Sequence, residues 1–256
     1  MLKHSAAASG VATITSIQPP VQTGLYGYFD ASIPASYPGT GTTWTDIAGG
    51  FVAADIRSQV SFVGDGNASY FDIPGGTSVY TDRSILSEGN NWSATNEVHV
   101  SAWVYKDAWG GEQQDHIFSL ANGVTGVDLA FANYDERVLF ALKAGGSFYN
   151  AEATGISSDD YLNQWVYLSY NYNGSALRGY RNGVQIAENT GASGNTDSYT
   201  DVDSGIGGQG WTLSGSIREM RNIFQGRIAV VHIHTASLSE TEIQQNFNSM
   251  RVRFGV

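Results

Sequence analysis

The segment Trp165 to Ala187, WVYLSYNYNGSALRGYRNGVQIA, leaves the chain little freedom, because it holds three strand-like runs and two tight turns with almost nothing between them. In the first run Val166, Leu168, Tyr170 and Tyr172 fall on one face and Trp165, Tyr167, Ser169 and Asn171 on the other, the period of two of a half-buried strand. Asn173-Gly174 ends that run, and Asn182-Gly183 ends the second, Leu177 to Arg181. Asparagine followed by glycine suits a two-residue hairpin turn, whose central residues take positive φ. The third run, Val184 to Ala187, returns beside the second, so the segment is expected to form a β-meander.

A tryptophan, an alternating apolar strand, Tyr172-Asn173-Gly174-Ser175, a short strand and Asn-Gly-Val follow one another in an order that resembles the central hairpins of laminin-G-like, concanavalin-A-like jelly rolls. Tyr28 to Gly50, YFDASIPASYPGTGTTWTDIAGG, is similar to their opening strand and loop, and Glu97 to Tyr105, EVHVSAWVY, to one of their core strands. Phe224 to Gly255 resembles their closing strand followed by a short helix. The Asn246-Phe247-Asn248 ending and the opening that starts at Asp30-Ala31-Ser32 are similar to versions found in bacteriophage particle proteins, those of marine phages especially. The resemblance covers Gly24 to Val256. It implies an all-β fold, a two-sheet antiparallel jelly-roll sandwich with one short C-terminal helix. It also implies a non-enzymatic role on a phage virion, as a capsid decoration, head-fibre, tail-fibre or knob component, with a major capsid or tail protein and further copies of itself as partners.

Composition agrees with one large β-domain. Hydrophobic residues make up 41% of the 256 residues and include 14 Tyr, 11 Phe and 6 Trp, enough apolar surface for a two-sheet core. The net charge of −11 argues against nucleic acid and anionic membranes as partners, since both are bound through clustered Lys and Arg. With no cysteine, packing and strand pairing must supply the stability. The first residues make a poor signal peptide, so synthesis is expected in a host cytoplasm and the final location on a virion.

Residues 1–23 are rich in Ala, Ser and Thr, include Pro19-Pro20 and read as an arm; residues 24–256 read as the jelly-roll domain. Within the arm VATITSI has strand-like alternation, and Val11, Ile14 and Ile17 are the residues through which it would add to a neighbouring subunit. Strands are expected at Leu25 to Phe29, Val60 to Val63, Tyr70 to Ile73, Glu97 to Tyr105, His116 to Leu120, Val127 to Asn133, Val138 to Lys143 and Ser147 to Glu152. Val98, Val100, Ala102 and Val104 form the apolar face of the fourth of these, so His99 faces away. Gln209 to Asn222 reads as an exposed insertion. Ser239 to Glu242 has the form of a capping box, and Ile243, Phe247 and Met250 recur at helical spacing behind it.

For chemistry, the chain lacks the E-x-D-x-x-E run of the glucanases that share this fold, and Glu240 and Glu242 sit at a helix start, where capping accounts for them. His232 and His234 share one strand face but have no carboxylate in the same run, which reads as ordinary sheet. No cofactor is expected, with calcium as the alternative: Asp197, Asp201 and Asp203 lie in one acidic, glycine-rich stretch of hard oxygen donors. A host glycan is the alternative ligand, stacked on Trp109 or Trp211, each beside glycine in a loop-like stretch.

Overall fold

A computed structural model of the chain describes residues 20–75, 82–109, 114–120, 126–132, 136–154, 157–213 and 217–256. Val11, Ile14 and Ile17 lie outside the described residues. The strands run β1 (Leu25–Asp30), β2 (Thr43–Trp44), β3 (Ala54–Ile56), β4 (Ser61–Val63), β5 (Tyr70–Pro74), β6 (Ile85–Trp92), β7 (Val98–Lys106), β8 (Gln114–Leu120) and β9 (Val127–Ala132). They continue as β10 (Arg137–Ala144), β11 (Ser147–Ala153), β12 (Trp165–Tyr172), β13 (Leu177–Arg181), β14 (Val184–Asn189), β15 (Tyr199–Ile206), β16 (Gln209–Leu213), β17 (Ile217–Arg221) and β18 (Gln225–His234). Helix α1 (Glu240–Met250) and a 3-10 turn, Arg251–Phe254, close the chain.

Two antiparallel sheets form the sandwich expected from the sequence. The first has the order β14-β13-β12-β7-β18-β5-β4, with β1 sharing an edge of β18 with β5; the second has the order β11-β10-β9-β8-β15-β6-β3-β2. The meander is β12-β13-β14, and its Asn182-Gly183 turn has φ of 51° and 79°, the two positive values that the dipeptide implied. Val98, Val100, Ala102 and Val104 pair with Tyr172, Tyr170, Leu168 and Val166 in the same sheet, and all eight face the inner core. Trp44 is fully buried against Phe29 and Phe71, with ring centroids 5.6 and 4.6 Å away. Asp46 pins the long loop behind it, its carboxylate accepting the amides of Tyr28 (2.7 Å), Ala48 (2.8 Å) and Phe51 (2.8 Å).

The other face of the first sheet is buried too. Trp103 and Tyr167 point out of the sandwich and under the C-terminal segment, where Phe254 and Phe247 stack on Trp103 at 4.4 and 5.8 Å. Helix α1 starts on the capping box, with Ser239 Oγ accepting the Glu242 amide and the Glu242 carboxylate accepting the Ser239 amide. Its buried side carries Ile243, Phe247 and Met250 as the spacing predicted. Arg253 locks the final turn by a bidentate bond to buried Asp30, at 2.7 and 2.9 Å. His99, expected to face away from the core, does so but lies in this second buried layer with His232 and His234.

Several features depart from the sequence reading, among them the short strands β2 and β3, neither of which was expected. Strand β6 was not expected, because Gly89 (φ 73°) and two asparagines interrupt its alternation. Gln209 to Asn222, expected as an exposed insertion, instead contains the β16-β17 hairpin, and Met220 is buried with its Sδ-methyl end close against Gly205 and Gly208. Residues 20–23, read as the end of an arm, pack into the domain, with Val21 buried beside Tyr180, Leu238 and Ile243 and its amide given to Asn246 Oδ1 at 2.9 Å.

Close packing between the sheets sets one prediction. Gly179 on β13 faces Phe140 of β10, and a methyl group there would overlap the Phe140 ring. Gly179→Ala should lower stability by about 1–3 kcal/mol through overpacking. Urea unfolding would show it as a lower midpoint at unchanged slope, and an unchanged midpoint would contradict the packing described.

Candidate functional site

Residues that alternate away from the inner core of the second sheet form its outer face. On β3 Ala54 and Ile56 turn inward, so Asp55, and Arg57 just beyond the strand, turn outward; on β6 Ile85 turns inward while Glu88 reaches solvent. The register sets Asp55 opposite Leu86. These side chains line an open cavity of about 390 Å³ whose walls are Val52, Ala53, Asp55, Arg57, Leu86 and Glu88. Arg57 bridges the two carboxylates, with Nη1 3.3 Å from Asp55 and Nη2 3.2 Å from Glu88. Both carboxylates are about half exposed, at 52% and 46%.

A buried polar network holds the rim. Asn90 Oδ1 accepts the Val52 amide at 3.0 Å, Ser87 Oγ donates to the Val52 carbonyl at 2.5 Å, and Asn90 Nδ2 donates to the Ser87 carbonyl at 2.8 Å and to Ser204 Oγ at 3.2 Å. The loop at Val52 is thereby tied to β6 and β15. Exposed Val52 and Ala53 and the charged Asp55, Arg57 and Glu88 together give the mixture of apolar wall and oriented polar groups that small-ligand sites use, with Leu86 buried beneath them.

The aromatic and acidic residues singled out in the sequence lie elsewhere. Trp109, singled out for the glycine beside it, is half-buried after β7, packs on the core, and has Lys106 Nζ 5.3 Å from its ring centre. Lys106 and Asp115 form an ion pair that is essentially inaccessible to solvent, with the Phe224 ring also over the ammonium group at 5.5 Å. Burial pushes the Lys106 ammonium below its ordinary value, and Asp115 opposes that shift. Trp211, read as part of a loop, stands on β16 opposite Glu219.

The three aspartates considered for calcium take three separate roles. Asp197 pairs with Lys143 at 3.0 Å and accepts the Gly146 amide at 3.1 Å; burial acts to raise its pKa, but these partners outweigh it and hold the carboxyl below the usual range. Asp201 takes a φ of 53° and gives its amide to Asn91 Oδ1. Asp203 is buried on β15, where a methyl group at Gly210 of the β16-β17 hairpin would come within 3.3 Å of its Cβ. Among the described residues no three His, Cys, Asp or Glu side chains converge as ligands for a metal ion. The sequence reading missed the cavity residues. The alternation Ala54-Asp55-Ile56-Arg57 is a signal that would place two of them on one face, but nothing local links them to Glu88, 31 residues beyond Arg57.

The Lys106–Asp115 pair gives the second prediction. Lys106→Met alone strands a buried carboxylate and should cost about 3–5 kcal/mol, whereas Lys106→Met with Asp115→Leu should recover most of that loss. Thermal unfolding of the two variants measures the difference, and equal destabilisation by both would count against the pair.

The family model described as concanavalin A-like lectin/glucanases superfamily, of the Laminin_G_3 kind, matches residues 65–244. No curated protein matches the chain in sequence. Among solved structures, domain 4 of AbnA, an extracellular arabinanase from Geobacillus stearothermophilus in complex with arabinotriose, is similar with a TM-score of 0.61 at 14% identity, over 87% of this chain and 97% of that one. The botulinum neurotoxin serotype D ligand-binding domain in complex with N-acetylneuraminic acid gives 0.62 at 13% identity, over 90% of this chain and 52% of that one. The binding domain of botulinum neurotoxin DC in complex with rat synaptotagmin II gives 0.64 at 15% identity, over 89% and 52%. The chain thus spans about half the length of the toxin domains and nearly all of the arabinanase domain, and at these identities the likeness is one of fold.

Proposed function

The chain belongs to the concanavalin A-like lectin/glucanases superfamily, and on that footing we propose that it is a non-catalytic binding module that holds a glycan at the cavity of Asp55, Arg57 and Glu88. The observation that carries this reading is the Arg57 bridge, which fixes donors and acceptors beside the exposed apolar Val52 and Ala53 in an open recess. Sugar hydroxyls need such oriented polar groups, and the apolar faces of a ring need a surface such as exposed Val52 and Ala53 provide. A hydrolase would require one carboxyl held protonated by an apolar setting beside an ionised partner. Asp55 and Glu88 both stand in solvent with a guanidinium between them, which favours binding over catalysis.

Charge narrows the ligand. Two carboxylates share one cation in the cavity and the whole chain carries −11, so the site favours neutral or amino sugars over sialylated or sulfated ones. Glycan-array and calorimetric measurements should show binding to neutral or amino-sugar oligosaccharides, weakened about 10-fold or more by Arg57→Ala or Glu88→Ala. No reducing sugar should be released. If the unaltered protein binds no glycan, or if binding survives both substitutions, the cavity is not the site.

A second reading places the module on the outside of a virus particle. It rests on the phage-like opening and ending of the sequence and on one geometric fact: residues 20–23 enter beside α1 on the outer face of the first sheet, while the cavity opens on the outer face of the second. An anchor at the entry would point the cavity away from the particle. Co-sedimentation with particles stripped of this protein should succeed for the full chain and fail for a variant lacking residues 1–19, and equal behaviour of the two would remove the anchoring role.

A further inference from the structure

Between the first sheet and α1 lies a layer that apolar side chains would ordinarily fill. Three neighbouring strands instead present two polar rows on the outer face. His232, Ser101 and Ser169 stand side by side in one row, and His234, His99 and Asn171 in the next. All six are buried. The rings of His99 and His234 are 5.5 Å apart and those of His232 and His234 6.4 Å apart. His234 Nδ1 donates to the Thr23 carbonyl at 2.8 Å and Asn171 exchanges two bonds with the Leu238 backbone, at 2.8 and 3.0 Å. Both ring nitrogens of His99 and of His232, and Nε2 of His234, make no hydrogen bond of ordinary geometry, and the same holds for the hydroxyls of Ser101 and Ser169. The contacts that do reach them, from Tyr167 to Ser101 and Ser169 and from Asn171 to His99, are loose. So many weakly satisfied buried polar atoms in one layer require a reason, because each costs free energy that an apolar substitute would not.

The charges around the block do not offset three extra positive ones. From β1, Tyr28 packs its ring 4.6 Å from His232, and Asp30 is held by Arg253 of the final turn, which itself faces His232 as a fixed positive charge. From β12 comes Tyr167, neutral because burial pushes its hydroxyl pKa up. Glu97 starts the β7 side and accepts the Ser237 amide. From α1, Glu242 alone favours protonation of His234, and it is already bound to Ser239 and Thr23. Burial keeps His99 and His232 well below the ordinary imidazole value, each further opposed by neighbouring imidazoles, and burial lowers His234 as well.

We propose that this layer is an acid-released latch: proton uptake by His99, His232 and His234 frees α1, the final 3-10 turn and residues 20–23 from the sheet and uncovers the aromatic face of Trp103 and Tyr167, leaving the inner core closed. The direction follows from linkage. Released imidazoles regain a pKa of about 6.5, so the docked state is fully favoured above that pH and loses ground as the pH falls through and below it. Each histidine adds up to about 10-fold per pH unit to the ratio of open to docked forms, and the three together up to about 1,000-fold. The inner core faces the opposite way and holds none of these groups.

Hydrogen exchange of the full-length protein between pH 7.5 and pH 4, corrected for the intrinsic pH dependence of exchange, tests the latch. Protection of residues 240–254 should fall steeply below about pH 6, while β8, β9, β10 and β12 remain protected. In a His99→Gln, His232→Gln, His234→Gln variant that fall should vanish. If that variant does not fold, His99→Gln alone should still reduce the steepness by about 10-fold per pH unit. Protection of 240–254 that holds to pH 4, a single transition in which both sheets open together, or a histidine variant with the parent's midpoint and steepness would each overturn the proposal.

Discussion

The rest of the structure depends on β18 being buried on both faces. One face, with Ile228, Val231 and Ile233, closes the inner core; the other, with Val230, His232 and His234, lies under the C-terminal segment. Its neighbours β7, β1 and β5 are ordered by pairing with it, so the middle of the first sheet is fixed from both sides. Because the outer side also needs covering, the helix and the Asp30–Arg253 lock are structural requirements and not appendages. A sheet with one wetted face would leave Trp103, fully buried here, in water.

This double burial explains why parts of the fold were legible in the sequence and others were not. The meander could be read because asparagine and glycine suit its turns: Asn182 and Gly183 both take the left-handed conformation, and at the first turn Gly174 takes positive φ while Asn173 Oδ1 accepts the Ser175 and Ala176 amides. The helix could be read because capping and spacing are both local, and Ser239 and Glu242 bond each other as the pattern implies. By contrast β6 carries Gly89 and Asn90 in its interior, and the reason lies far away in sequence: Asn90 ties the Val52 loop and Ser204 together. Long-range polar networks leave no periodic trace. The same limit applied to Met220 of β17, whose burial depends on close approach to Gly205 and Gly208.

The site residues follow the same division. Asp197, Asp201 and Asp203 are close in sequence, yet one precedes β15, one sits at a positive φ beside the irregular pairing of β15 with β6, and one is buried on the strand, so proximity along the chain did not become convergence in space. Asp55, Arg57 and Glu88 show the converse. They come from two strands that meet only through sheet pairing, and their arrangement appears once β3 lies beside β6. Trp109 is half-buried because the buried ammonium of Lys106 holds its ring against the core, a contact that the glycine beside it does not reveal.

The two outer faces of the sandwich therefore carry different chemistry for a common physical reason. On the second sheet, the edge near β3 is open, and charged side chains there can remain solvated while Arg57 orders them at little cost. On the first sheet, polar side chains are shut under a helix, where the same kind of group becomes expensive unless it is neutral. Histidine is the side chain able to be neutral in that layer at one pH and charged at another within the physiological range. Serine and asparagine beside it supply polarity without titrating, so the layer's response to acid falls on three residues, and its mechanical consequence falls on the segment that covers them. The proposed recognition site and the proposed latch thus lie on opposite outer faces of one inner core.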